Sequence, residues 1–287
     1  MHTPLPPDLD PAALQTALRG RYVGGPVTVL ATAASTMDVM AGHALTGAPE
    51  GAVVITDYQS KGRGRLGRDW LAPPGTALLM SILFRPNLPP ERIAQIPMAV
   101  ALAALEALVP FVPPGTPLGL KWPNDILAGG SAMKLAGLIA EGQWGAAFGG
   151  GTSESSPAAI NTTSHVIVGL GINVGQTAAE LVAGATSLAE LGGTVPPRGE
   201  LAASLLNSLD GMYGRLLLGQ SLLELWTSRL VTVGQMVAVS SVNSDRASIR
   251  GLAVGVAPDG ALRIRTADDA IAEVRAGDVT LAGTSPD

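Results

Sequence analysis

The sequence predicts an α+β protein: a larger domain of strands and helices followed by a small all-β module. Three observations predict it. Apolar runs of strand length alternate with two long stretches of helical periodicity. Near Arg229 the texture changes to short alternating runs separated by turn residues. The chain has 287 residues, 47% of them apolar and only 14% charged, which is ample for a real core. The expected division is a short N-terminal segment over 1–24, the larger domain over 25–230 and the β module over 231–287.

Taken in order, residues 1–24 are Pro-rich and then helix-like over 11–19, too short for a helix-turn-helix domain. Residues 27–32 read as a strand. Ser35 is a good N-cap for a helix running to Leu45, with Asp38 at its third position. Residues 52–56 form a buried strand, 59–69 a Gly- and Arg-rich loop and 78–84 another strand. A helix over 90–109 carries Ile93, Ile96, Val100, Leu105 and Leu108 at helical spacing. Two short strands, 118–122 and 125–127, flank Pro123 and Asn124, and 134–141 continues the sheet. Residues 145–164 are small, polar and Gly-rich, the composition of a flexible excursion. A returning strand follows over 165–170, and then an amphipathic helix over 200–218 with Leu201, Leu205, Leu209, Met212 and Leu216 on one face. In the last module the strands are expected over 236–239, 247–256, 261–265 and 271–274, with Asp259-Gly260 as a hairpin signal and a barrel as the expected form.

Composition excludes several chemistries. There are no cysteines, so disulfides, thiolate metal sites and a cysteine nucleophile are ruled out. Histidine occurs only as His2, His43 and His165, which disfavours a His-rich metal site. The net charge of −5 argues against nucleic acid as the main partner. No apolar run reaches the ~18 residues of a membrane span, and the N-terminus does not read as a secretory signal. A cytoplasmic protein is therefore expected.

Four motifs carry polar residues in places where strands alone do not need them. KGRGRLGR over 61–68 combines three glycines, which let backbone approach a ligand, with the planar donor forks of Arg63, Arg65 and Arg68, which suit carboxylate and phosphate. A solvated basic loop is the bland alternative. KWPND over 121–125 places Asn124, which suits an adenine edge or ribose hydroxyl, beside Asp125, which suits a ribose hydroxyl or Mg²⁺; a β-turn around a buried Trp explains it about as well. KLAG over 134–137 puts Lys134 in an apolar strand, where it either snorkels to solvent or faces an anion. GLGIN over 169–173 reads as a glycine pair after a strand, serving a nucleotide or a tight turn.

In this order and spacing, GRGRLGR, KWPND, KLAG and GLGIN resemble the biotin protein ligase family, over about residues 25–287. The resemblance implies a catalytic domain like that of class II aminoacyl-tRNA synthetases, with a mixed sheet, followed by an SH3-like β-barrel. It implies that Ser35, Thr36 and Gln59 contact the biotin ureido ring, and that Gly62, Arg63, Gly64, Arg65, Lys134 and Gly137 surround the biotin. On the nucleotide side it places Arg65, Arg68, Trp70 (near adenine), Lys121, Asn124, Asp125 and Asn173. Arg65, Arg68 and Lys134 are the implied catalytic cations.

Met37 stands where the family often has Asn after Ser-Thr, and no arginine after Leu281 matches one sometimes found near the family's C-terminus. The β module is therefore left outside the expected site. The implied substrates are ATP and biotin, with Mg²⁺ carried mainly by ATP rather than by protein ligands. The implied partner is a biotin carboxyl carrier protein, with no DNA and no membrane; homodimerisation is left open. The alternatives are a lipoate-type ligase of the same superfamily and a biotin-binding regulator without enzymatic role. The loop over 61–69 is expected to be disordered when empty, because its arginines repel one another and its glycines are permissive.

Overall fold

The computed structural model describes residues 4–143, 165–240 and 248–281. The excursion expected over 145–164 lies outside the described residues. Two sheets organise the molecule. The larger is built from β1 (Val27–Ala33), β2 (Val53–Gln59), β3 (Ala77–Phe84), β4 (Leu118–Lys121), β5 (Asp125–Ala128), β6 (Met133–Gln143) and β7 (His165–Asn173). Its spatial order is β1-β2-β3-β7-β6-β5-β4. It is mixed: β1 and β2 run parallel, joined by helix α2 (Thr36–Leu45), and every other neighbour pair is antiparallel. A parallel pair needs a crossover of this kind, because a tight turn cannot return the chain in the same direction.

Both faces of the sheet are covered, which explains the near-continuous apolar reading of its strands. All eight residues of β3 are buried. On one face, Met37, Met40 and Ala44 of α2 pack with Val54, Leu83 and Ile167. On the other, Val53, Ile55, Leu78, Met80, Ile82 and Phe84 meet the main core. Adjacent residues such as Val53 and Val54 thus serve opposite layers, as the period-two geometry of a strand requires.

The main core is capped by α4 (Gln95–Leu108) and α5 (Arg198–Leu217), which pack on each other. All five residues expected on the apolar face of the later helix are buried. The helix expected over 90–109 is interrupted: α3 (Pro90–Ile93) ends at Ala94 before α4 begins. Pro97 stands in the first turn of α4. It has no N–H to offer the Ile93 carbonyl, so a continuous helix would lose that bond. The N-terminal residues belong to the same body. Leu9 and Leu14, the latter on α1 (Pro11–Ala17), are buried in the main core. Asp8 and Asp57 both ion-pair with Arg198, which is only 2% exposed.

A short helix, α6 (Leu223–Ser228), leads to the second sheet. Its antiparallel strands are β8 (Met236–Ser240), β9 (Ile249–Val256), β10 (Leu262–Arg265), β11 (Ile271–Val274) and β12 (Asp278–Leu281), in the order β11-β10-β9-β8-β12. The sequence reading has no counterpart for β12. Pro258, Asp259 and Gly260 make the expected β9–β10 hairpin: the Gly260 amide donates to the Ala257 carbonyl, and Gly260 has φ +84°.

The sheets are pinned through Trp122. It sits in the three-residue turn between β4 and β5, after a register that pairs Lys121 with Asp125. Its peptide with Pro123 is cis. Its backbone N–H donates to Thr232 Oγ1 at 2.9 Å, and its indole N–H donates to the Gly260 carbonyl at 2.9 Å. The Trp of KWPND is therefore a packing and hydrogen-bonding link to the second sheet.

Candidate active site

The site lies on the α2 face of the large sheet, where β6 and β7 dip. Gly137 and Gly171 are direct partners across these strands. A Cβ on Gly171 would stand 2.5 Å from Cε2 of Trp70, and one on Gly137 would stand 3.1 Å from its Cζ3. Gly169, two residues back on the same side of β7, does the same for Met37, with Sδ at 2.7 Å from a built Cβ. The glycines of KLAG and GLGIN thus make room for two large side chains laid on the sheet. GLGIN lies within β7 and does not follow it, so of the two readings left open for its glycines the tight turn falls away. The residue replacing the usual Asn, Met37, is a buried part of this floor.

The Gly-Arg loop folds back on itself. Trp70 N–H donates to the Gly62 carbonyl at 2.9 Å and Gly64 N–H to the Arg68 carbonyl at 2.7 Å. A side chain on Gly62 would meet the Trp70 carbonyl at 2.4 Å, so glycine is needed for that approach. Leu66 at φ 61° and Gly67 at φ 73° complete the reversal. Each arginine has a polar partner. Arg63 ion-pairs with Asp38 at 2.8 Å and Glu141 at 3.1 Å. Arg65 donates to Asn124 Oδ1 at 3.0 Å. Arg68 reaches Asp278 at 2.7 Å. The mutual repulsion expected to disorder the empty loop is therefore offset by partners from four other segments.

Two clefts meet at this loop. The first, about 450 Å³ and open to solvent, is bounded by Thr36, Gln59, Leu79, Ile139 and the Trp70 face. The second, about 920 Å³, lies between Arg68, Asp125, Asn173, Asp278 and a wall formed by residues 181–185. Arg65, Trp70, Asn124 and Lys134 line both. Lys134 Nζ lies 2.8 Å from Asp125 Oδ1 and 5.5 Å from the Trp70 ring centroid. The Lys134–Asp125 contact is an ion pair without hydrogen-bond alignment, and the Trp70 indole N–H is buried with no hydrogen-bond partner among the described residues. Burial lowers the pKa of Arg65, opposed by the nearby Asp125 and Asp278 carboxylates. Even so, a guanidinium stays charged at neutral pH. The junction thus brings together two cations, Arg65 and Lys134, the second over the Trp70 ring, and suits an anion shared between the two clefts.

Several expected residues are placed here but spent on structure. Ser35 caps α2, its Oγ accepting from Met37 N–H. Gln59 Oε1 accepts from both N–H and Oγ1 of Thr36, and Ser81 Oγ donates to the same hydroxyl. Asn124 holds Arg65 with its oxygen while its amide donates to the Leu138 carbonyl. Asn173 borders the second cleft, yet its amide is committed to the Thr186 carbonyl and its oxygen to Gln176. Gly62, Gly64 and Gly137 act through backbone and space. Lys121 is at the β4 edge and borders neither cleft.

Sequence reasoning also missed residues. Asp278 brings the C-terminal sheet into the second cleft, which corrects the expectation that this module stays out of the site. Its four-residue strand offered no motif. The wall over 181–185 is fixed by backbone pairing with Lys134, whose N–H donates to the Gly184 carbonyl and whose carbonyl accepts from Thr186. Nothing in the small apolar sequence there announces a cleft.

The model of the biotin/lipoate A/B protein ligase family matches residues 29–173. The chain belongs to this family. A second model, the biotin protein ligase C terminal domain, matches residues 232–281 and so covers the small sheet. The chain is 34% identical to a biotin–[acetyl-CoA-carboxylase] ligase of Mycobacterium tuberculosis over 210 residues, covering 72% of this chain and 71% of the relative. It is 29% identical to a bifunctional ligase/repressor of Bacillus subtilis over 82% of this chain and 67% of that one. Among solved structures, the biotin protein ligase of Aquifex aeolicus in complex with biotin and ATP superposes with a TM-score of 0.67 at 25% identity, over 89% of this chain and 98% of that one.

Proposed function

We propose that this protein activates biotin with ATP to biotinyl-5′-AMP and then transfers biotin to a lysine of a biotin carboxyl carrier protein or domain of a carboxylase. One observation carries the reading. Two clefts of unequal character share a junction of Arg65, Lys134 and Trp70, which suits a carboxylate in one meeting a phosphate in the other. In this reading residues 25–230 supply nearly all of both clefts, and 231–287 form the C-terminal module, which adds Asp278 to the second.

Biotin occupies the first cleft, its ring system between the Thr36–Gln59 end and the Trp70 face. ATP occupies the second. A biotin carboxylate oxygen attacks the α-phosphorus, the bond to pyrophosphate breaks, and the mixed anhydride remains. Arg65, Arg68 and Lys134 offset the negative charge gathered at that centre, a task of positioning and electrostatics that needs no protein nucleophile. Asn124 is a positioning residue that aims Arg65. The acceptor amine then attacks the acyl carbon, AMP leaves and the amine loses a proton. Trp70 and the folded Gly-Arg loop keep water from the anhydride meanwhile.

We assign Mg²⁺ to the triphosphate, where it would supply charge neutralisation. No described helix is long and apolar enough to cross a membrane, and we place the reaction in the cytoplasm, where ATP is available. The net charge of −5 favours a reading without DNA, which a biotin-dependent gel shift at physiological salt would sink. Homodimerisation is not required.

The test of substrate is pyrophosphate exchange into ATP. It should depend on biotin and be absent with lipoate, the substrate of the nearest alternative. Equal exchange with lipoate, or none with biotin, overturns the proposal; the second result would favour a regulator that only binds biotin.

A further inference from the structure

We propose that Asp278 is a built-in anionic competitor for Arg68, displaced each time phosphates enter the second cleft. The inference rests on the reading of that cleft as the nucleotide side, and it goes beyond that reading by assigning a role to the C-terminal sheet.

The two groups lie 210 residues apart in sequence, and Arg68 Nη2 donates to Asp278 Oδ1 at 2.7 Å. Their side chains are about half exposed, 59% and 49%, so the contact can open without leaving a buried charge. Asp278 is fixed on the protein side rather than swinging freely. It is the first residue of β12, and the strand pairs in register with β8 from Asp278–Ser240 to Leu281–Val237. The preceding Gly277 has φ +154°, and a Cβ there would meet Val239 Cγ1 at 2.6 Å, so the turn that delivers Asp278 is closely packed.

Charge counting across the cleft gives the competitor its sign. The cations facing it are Arg65, Arg68 and Lys134; the anions are Asp69, Asp125 and Asp278. The cleft of a phosphate-binding protein is thus neutral in its side chains while it is empty. Lys134 is occupied by Asp125 and Arg68 by Asp278. Of the two carboxylates, Asp125 is the more enclosed, 20% exposed against 49%, so Asp278 is the one that a polyphosphate can displace at small cost. A carboxylate that returns to Arg68 as the phosphates leave would favour release of pyrophosphate. Removing it makes the cleft one charge more positive. The expected result is tighter polyphosphate binding, by about threefold to fivefold for an exposed pair, and less at high salt.

The experiment compares the full-length protein with Asp278→Asn, Asp278→Glu and Arg68→Gln. Inorganic pyrophosphate binding is measured directly by calorimetry, and KM values for ATP and biotin come from exchange. Asp278→Asn should bind pyrophosphate about threefold to fivefold more tightly and lower KM for ATP by a similar factor, with KM for biotin not following. Asp278→Glu should restore the wild-type values. In the Arg68→Gln background, adding Asp278→Asn should change pyrophosphate affinity much less. Unchanged or weaker pyrophosphate binding in Asp278→Asn overturns the inference, because it would mean that the carboxylate orders Arg68 for phosphate or assists a bound cation. A purely structural role would move stability without tightening any ligand, and overturns it too. If the wild-type protein shows no biotin-dependent exchange but Asp278→Asn still tightens pyrophosphate, the ligase reading fails and the competitor stands.

Discussion

The Trp70 ring fills the space that a side chain on Gly171 would take, with Cε2 2.5 Å from the position of the missing Cβ. This one contact ties the Gly-Arg loop to the sheet, because Trp70 also holds the loop base through its N–H bond to the Gly62 carbonyl. Gly171→Ala should lift the ring off the sheet. Overpacking of this kind costs about 1–3 kcal/mol. We expect a lowered melting temperature, and a larger loss in biotin-dependent exchange than in stability, since both clefts share that ring. Full exchange activity in the variant would separate Trp70 from the chemistry.

Lys134→Ala should slow adenylate formation far more than it unfolds the protein. Removing a charge contact that acts at a reacting phosphate is worth about 2–4 kcal/mol, or about 30-fold to 1000-fold in rate. The side chain is 34% exposed and its partner is Asp125, so the variant also leaves that carboxylate without its cation. Single-turnover formation of biotinyl-5′-AMP is the measurement. Near-normal rates in the folded variant would mean that the lysine only reaches solvent.

Hydrogen exchange should find the loop already folded without substrate. The amides of Gly64 and Trp70 donate to Arg68 and Gly62 carbonyls, and both are expected to be slowed in the empty protein relative to an unstructured peptide. Free exchange at these two amides, slowed only after biotin and ATP are added, would restore the disorder expected from composition.

Acid should loosen the N-terminal residues first. The Arg198 hydrogen bonds hold the Asp8 carboxyl below its ordinary pKa, against desolvation. A lowered folded-state pKa contributes stability that is present above the unfolded value, about 4, and is lost as pH falls through the folded one. Denaturant midpoints should therefore fall below about pH 4 in the wild type. The slope should be shallower in Asp8→Asn, which is already less stable at neutral pH. Identical acid limbs for the two proteins would exclude this link.

Trp122→Phe should keep the buried ring but lose the bond to the Gly260 carbonyl. We expect about 1–2 kcal/mol of destabilisation, most of it from leaving that carbonyl short of a donor. Trp122→Ala should cost about 3–5 kcal/mol through the cavity as well. Chemical denaturation of both variants checks the order.

Local pattern alone determined much of this protein. Strand and helix identities were legible for the elements whose period repeats within one segment, as in α5, whose Leu201, Leu205 and Leu209 all point to the core. The four motifs were legible too, because clustered Gly, Arg and Lys between apolar strands have few structural uses. What the tertiary structure decided is which polar groups remain for a ligand. Asn173 and Asn124 look alike as motif residues, yet one is locked onto Thr186 and Gln176 while the other aims Arg65. Asp278 enters the site from a four-residue strand with no signature, paired with an arginine 210 positions earlier. Gly171 makes room for Trp70 only because β7 passes beneath the folded loop. Periodicity is a property of one segment, and the hydrogen-bonding and spacing demands of distant segments are set only when they pack; that physical difference divides what could be read from what had to be seen.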